Sequence, residues 1–307
     1  MRQQSLFSAA FMAGIVSAYT DIRHKRFMLK NIDPIVFPGE YISHMHSFYG
    51  SDAVTKDMPT TEELQKGCPS GENPNDLSVY WTPTLYVVKN DEYHEVNPMM
   101  FSTYYENIDK AEIPFPKDFF AVAGNATAKT QADVDENING LTWWCDAGPE
   151  DRQTRDRGTF PRVTCAAHIQ AILRFPTASI RATSPRTDTP RRTAEMPCQH
   201  EAHASAPLLH PIRRSKSHPR GLEWTSPLKL ACGPVGDGYC MHGDFVNGWF
   251  DDAQQNLLKA TDRRNWMRID GAKGQGKAGS ACQAKDADPE NGTGDYKKSL
   301  DMMGMSS

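Results

Sequence analysis

The sequence predicts a mainly β fold, sandwich or jelly-roll-like, with a few short helices and disulfide bracing. Short runs rich in aromatic and β-branched residues recur between Pro and Gly turns, and helical periodicity is scarce. Seven cysteines (Cys68, Cys145, Cys165, Cys198, Cys232, Cys240 and Cys282) are spread along the chain. Many short strands of this kind favour a sandwich or jelly roll over an α/β sheet.

The elements follow in order. Thr60-Thr61-Glu62-Glu63 opens a short helix with capping-box character. Tyr80 to Val88 is a strand, Lys89-Asn90-Asp91-Glu92 turns, and Tyr93 to Tyr105 returns. Phe119 to Ala123, Leu141 to Cys145 and Cys165 to Phe175 are further strands. In the last, Ile169, Ala171 and Leu173 face away from His168, Gln170 and Arg174, the period of a half-buried strand with one slip at Ile172. Asp251 to Thr261 starts with acids and carries its basic residue late, as a helix dipole prefers. From about Gly271, glycine, lysine and aspartate dominate, so 271–307 reads as a flexible tail on a single β-rich domain spanning 27–270.

The first eighteen residues have the parts of an export signal. Arg2 supplies the positive end, Leu6 to Val16 a short apolar run, and Val16-Ser17-Ala18 a small-residue cleavage pattern. That run is too short for the roughly twenty residues of a membrane span, and no other stretch comes closer. The expectation is a secreted protein, extracellular or held at a cell wall. Arg23-His24-Lys25-Arg26 offers a dibasic cut that would make 19–26 a propeptide; the alternative is a solvated basic turn. Asn125-Ala126-Thr127 and Asn291-Gly292-Thr293 are glycosylation sequons, meaningful only in an exported chain.

A net charge of −4 and a pI near 6.2 exclude the basic footprint of a nucleic-acid binder. The mean hydropathy of −0.61 suits a loop-rich soluble protein. In an oxidising compartment the cysteines read as a disulfide framework.

Several motifs then stand in a specific order: Asn31-Ile32-Asp33-Pro34-Ile35-Val36-Phe37-Pro38-Gly39, Ser43-His44-Met45-His46-Ser47-Phe48-Tyr49-Gly50, Tyr80-Trp81-Thr82-Pro83-Thr84-Leu85-Tyr86, Phe175-Pro176, and Gly238-Tyr239-Cys240-Met241-His242-Gly243-Asp244-Phe245-Val246-Asn247-Gly248-Trp249. Over roughly Asn31 to Leu258 the chain closely resembles a secreted fungal family catalogued as domain of unknown function nineteen-ninety-six. Some members of that family add a wall-associated WSC module; no such cysteine array is present in this chain. The resemblance implies an extracellular location, at a fungal surface or on plant material, and no established reaction.

Thr177 to Thr225 departs from that pattern. It holds eight Arg or Lys against four Asp or Glu, six prolines and one aromatic residue, a composition that reads as an irregular basic linker. A second reading explains more: a shifted frame. Taking the last two bases of each codon with the first of the next, Met196-Pro197 forces a cysteine. Pro197 to Ala204 then permit Pro-Ala-Asn-Met-Lys-Arg-Met-Pro, and Ser205 to Arg213 permit Gln-Leu-Arg-Phe-Ser-Ile-Arg-Tyr-Asp, an alternating strand. On this reading Cys198 is accidental, and the framework cysteines are Cys68, Cys145, Cys165, Cys232, Cys240 and Cys282.

Two short motifs could carry chemistry. In His44-Met45-His46 the imidazoles stand at i and i+2, one face of an extended strand and a common donor pair for a transition metal. His242-Gly243-Asp244 repeats the spacing with a carboxylate, and Gly243 would let another segment approach closely. If the motifs converge, His44, His46, His242 and Asp244 form a set able to hold a divalent metal or to act as acid and base on a glycan. Asp33, Trp81, Asn247 and Trp249 would line the cleft, with the tryptophans as sugar platforms or, on the plainer reading, as core. A phosphate-binding glycine loop in strand-to-helix context and a Gly-x-Ser-x-Gly elbow are both missing. Three functions remain. The first is a secreted protein that binds or remodels cell-wall or plant polysaccharide. The second is a hydrolase or metalloenzyme on the paired histidine motifs, and the third a structural wall or effector protein without a small-molecule site. Convergence of the motifs favours the second.

Overall fold

The computed structural model describes residues 19–106, 113–134, 140–146, 158–161, 168–175, 178–180, 193–195, 200–206, 227–259, 269–277 and 279–305. The proposed signal segment and the Cys165 and Cys198 positions lie outside them. Among the described residues, no helix is long and apolar enough to cross a membrane.

The fold is mainly β, as the strand pattern predicts. Two five-stranded antiparallel sheets make its body. One runs β2 (Met28–Lys30), β3 (His46–Gly50), β4 (Val79–Pro83), β15 (His242–Val246), β8 (Phe120–Gly124). The other runs β1 (Tyr19–His24), β7 (Met100–Glu106), β13 (His200–Ala206), β10 (His168–Arg174), β9 (Thr142–Asp146). A three-stranded sheet, β14 (Leu228–Leu230), β5 (Leu85–Lys89), β6 (Glu92–Glu95), and the pair β11 (Ala178–Ile180) and β12 (Thr193–Glu195) complete the strands. The helices are α1 (Thr61–Leu64), α2 (Asp251–Leu258) and α3 (Tyr296–Met302).

Alternation along the strands assigns the faces. Tyr49, Tyr80 and Phe245 point from the first sheet into the main core, where they meet Phe101, Leu173 and Phe175 of the second. Tyr49 stacks on Phe101 with centroids 3.8 Å apart. Gly243 is needed in this layer: a Cβ there would stand 2.8 Å from Leu173 Cδ2, so the sheets can approach only over glycine. The opposite face of the first sheet carries Phe48, Trp81 and Val246, and is covered by Ile32, Val54 and Leu64 from loops and α1. That loop-covered face also bears His46, His242 and Asp244.

A buried polar bridge crosses the sandwich. The hydroxyls of Tyr80 and Tyr105 are 2.6 Å apart, both lie 3.3 Å from Asp76 Oδ2, and Trp249 Nε1–H donates to Tyr105 at 2.8 Å. Burial pushes the Asp76 carboxyl up to about 6.

Three expectations are revised. The segment 271–307, read as a flexible tail, is anchored wherever it is described. Cys282 is bridged to Cys68, the buried Lys30 ammonium pairs with Asp286 at 2.7 Å, and Thr293 N–H donates to Asn31 Oδ1 at 2.8 Å. Asp295 caps α3, and Tyr296 packs between Tyr86 and Tyr93. Its Asp, Asn and Thr side chains close turns here rather than solvate a coil. The second concerns parts of 177–225, a segment read as irregular and described only at 178–180, 193–195 and 200–206. Its described stretches are strands, and β13 occupies the centre of the second sheet between β7 and β10. The third is the solvated basic turn at Arg23 to Arg26: Arg23 and His24 belong to strand β1, where Ile22 is fully buried and His24 is 5% exposed.

His24 supplies a test of this last placement. Its Nε2 lies 3.0 Å from Thr103 Oγ1, and burial lowers the imidazole from 6.5 to about 3. Because the folded value is depressed, the neutral ring's contribution is full above about pH 6.5 and is lost as pH falls towards about 3. Urea unfolding of His24→Leu should therefore lose about 2 kcal/mol less between pH 6.5 and 5 than the parent chain. Equal pH slopes for both chains would place His24 in solvent.

Candidate metal centre

The two histidine motifs converge. Strands β3 and β15 both pair with β4, so His46 and the His242–Asp244 segment share one face of the sheet. His44, just before β3, folds onto the same spot: its ring centroid is 4.2 Å from His46 and 5.1 Å from His242. Asp33 arrives from the loop after β2, where its Oδ1 accepts from the Ile35 and Val36 amides at 3.1 and 3.0 Å. Gly124 lets β8 press against this site, since a Cβ there would lie 2.7 Å from His242 Cα and its φ is +82°.

Hydrogen bonds assign the tautomers. His46 Nδ1 lies 2.9 Å from the Ile32 carbonyl, and His242 Nδ1 lies 2.9 Å from the Cys240 carbonyl. A carbonyl only accepts, so both Nδ1 atoms carry the proton. Burial, first among the causes, holds His46 well below its usual range and His242 at about 4, so both rings are neutral. Each Nε2 therefore presents a lone pair, and the two Nε2 atoms face each other at 3.1 Å. Two lone pairs at that separation repel unless a cation lies between them. A tetrahedral ion with bonds of about 2.0–2.1 Å holds its nitrogens about 3.3 Å apart.

The other donors fit the same cation. A carboxylate oxygen of Asp33 and ring nitrogens of His46 and His242 lie within 4.8 Å of one another, and all three residues are buried. His44 Nε2 is buried without a hydrogen-bond partner, and its ring is held at about 3, chiefly by burial and then by His242. Asp244 is 1% exposed, neither oxygen has a hydrogen-bond partner, and its Oδ2 stands 3.7 Å from His242 Nε2. Burial, reinforced by Asp33, pushes its carboxyl well above the usual range. Burial also raises Asp33, opposed by the two amides and weakly by the Trp81 indole, which completes no hydrogen bond. Orphaned buried polar atoms are costly unless something binds them. Three neutral imidazoles and two carboxylates suit a divalent transition metal better than a hard cation.

Of the candidates named from sequence, His44, His46, His242 and Asp33 meet at this point, with Asp244 bordering it. The carboxylate grouped with His46 and His242 is Asp33, whereas the spacing argument had put Asp244 there. Trp81 backs the site but is fully buried and stacked on Phe48, so it offers no face to a sugar. Trp249 belongs to the tyrosine bridge on the other side of the sheet. Asn247 is spent on structure, donating to the Pro116 carbonyl and accepting from the Trp249 amide. Neither lines the site. Sequence reasoning missed Cys232, whose Sγ lies within 4.8 Å of ring nitrogens of His44 and His242 but is bridged to Cys240.

A family model described as "Domain of unknown function (DUF1996)" matches residues 33–249, and the chain belongs to that family. Neither a curated protein nor a solved structure matches it. The matched span contains every residue of the histidine cluster.

Proposed function

We propose that this chain is an exported metalloenzyme whose reaction is metal-assisted hydrolysis of extracellular polysaccharide. The observation that supports the metal is the pair of Nε2 lone pairs facing each other at 3.1 Å among unpartnered buried donors. His46, His242 and Asp33 would hold the ion, with His44 on the less buried side. When bound, such an ion lowers the pKa of a coordinated water and polarises the bond to be cleaved. Asp244, whose carboxyl burial raises well above its usual range, would be placed to give a proton to a leaving oxygen. The side chains of Val36, Phe37 and Ile42, 56, 40 and 44% exposed, stand on the loop that carries Asp33 and would form the substrate rim. Export rests on the signal-like first eighteen residues, and the polysaccharide class follows from that location. Tyr19 is then the mature start, because a cut after Arg26 would excise β1. Asn125, in the turn after β8, is the proposed glycan site: its amide reaches the Asp133 carbonyl at 3.4 Å, whereas the Asn291 amide donates to Asp288 at 2.7 Å.

The near-complete burial of His46, His242 and Asp33 favours one alternative, a purely structural ion that cross-links the loop-covered face. Release of reducing sugar from cell-wall polysaccharides separates the two. The enzyme reading expects activity that is lost on chelation, restored by added zinc or manganese, and reduced at least about 100-fold in Asp244→Asn with the metal retained. Metal retention without turnover on any wall glycan would leave the structural ion.

A further inference from the structure

We propose that the Cys232–Cys240 disulfide gates this centre, so that opening it supplies the Cys232 thiolate as a ligand beside His44 and His242. The inference rests on the reading of the histidine cluster as a metal site and adds to it a redox-dependent donor.

Cys232 Sγ already stands within ligand range: it and ring nitrogens of His44 and His242 all lie within 4.8 Å of one another. In the bridged chain that sulfur is bonded to Cys240 and is not a thiolate. His44 Nε2 is buried and has no hydrogen-bond partner. Cys232 lies just beyond β14, at the start of a loop that includes Gly233, Gly236 and Gly238 and returns to β15 at Cys240. The bridge is also coupled to the site mechanically, because the Cys240 carbonyl accepts the bond that fixes the His242 ring.

The chemistry balances with a dithiol reductant. Two electrons pass from the dithiol, which closes to its own disulfide, to the Cys232–Cys240 bond, which opens to two thiols. The Cys232 thiol releases its proton to solvent on meeting the ion, and Cys240 keeps its own. The donor set then gains a soft sulfur, which shifts preference towards zinc and cuprous copper and away from hard, oxygen-seeking ions. An oxidising exterior would keep the nitrogen and oxygen set, and a reducing one would install the thiolate.

Cobalt(II) titration of the full chain tests this, because thiolate ligation gives an intense near-ultraviolet charge-transfer band that nitrogen and oxygen ligands do not. The oxidised parent should show visible ligand-field absorption without that band. Treatment with a water-soluble phosphine, removed before cobalt is added, should make the band appear. Cys240→Ser should show it without reductant, and Cys232→Ser should lack it under both conditions. Both variants lose the same bridge, so a folding defect cannot produce the difference. Equal bands in the two variants, or none in Cys240→Ser, would overturn the proposal. Absent ligand-field absorption in the oxidised parent, with the band present in Cys240→Ser, would sink the histidine-carboxylate reading and sustain this one.

Discussion

Replacing the middle segment by the peptide of its shifted frame stabilises the protein by on the order of 5 kcal/mol, a rise in Tm on the order of 10 °C. Strand β13 is the middle strand of the second sheet. It pairs with β7 on one side and β10 on the other, whose Phe101, Ala171 and Leu173 belong to the main core. The register sets Ala202, Ala204 and Ala206 opposite Leu173, Ala171 and Ile169, and sets Ala204 opposite Phe101 on the other neighbour. A central strand beside such residues is expected to bring large β-branched or aromatic side chains. The sequence His200 to Ala206 offers nothing apolar larger than alanine. The shifted frame offers Leu, Phe, Ile and Tyr at alternate positions of 205–213, the period of one strand face, so the reframed chain is expected to set that stretch between β7 and β10 in place of 200–206. Each alanine enlarged to fill space at a buried site is worth about 2–5 kcal/mol where the site is otherwise underpacked. Thermal and urea unfolding of the two full-length chains decide the matter, with sequencing of the transcript across Phe175 to Leu230 as an independent check. An unchanged or lower Tm in the reframed chain would show that the present segment is the packed one.

Metal binding has the second large effect. Saturating zinc at about 1,000 times its Kd stabilises the folded chain by about 4 kcal/mol, on the order of 10 °C in Tm. His46→Ala and His242→Ala each abolish that rise, because each removes one of the two facing lone pairs. His94→Ala, an exposed histidine on β6 paired loosely with Glu92, leaves it intact. Loss of the rise in all three variants, or in none, would argue against the site.

How much of this was legible in the sequence depends on the period of the element. Along β15 the alternation put His242 and Asp244 on one face, and the fold keeps them there. The His-x-His spacing likewise kept His44 and His46 together, although only His46 lies within the strand. Strand-forming stretches from Tyr80 onward and the capped helix at Thr60 were visible because apolar alternation and cap chemistry are local. However, Tyr80 to Val88, read as one strand, breaks into β4 and β5, and Tyr93 to Tyr105 into β6 and β7, each pair divided between two sheets. Asp33 as the carboxylate of the group was not, because it comes from a loop whose path is set by tertiary packing. Cys232 is adjacent for the same reason: a turn of eight residues, closed by its own bridge, brings it back. The segment after Gly271 misled because polar composition reads as solvation, whereas its anchors, Cys282, Asp286 and Thr293, act across more than 200 residues of chain. The tryptophans show the limit of residue type as a clue. Trp81 and Trp249 could have been platforms, and depth in the fold makes them core.

The most direct measurement is the metal content of the purified full-length chain, by inductively coupled plasma mass spectrometry after dialysis against metal-free buffer. About one transition-metal ion per chain is expected in the parent, and less than about a tenth of that in the His46→Ala, His242→Ala double variant. A parent chain that folds and stays metal-free after exposure to zinc, copper and manganese would contradict the account, leaving the facing imidazoles to share a proton instead.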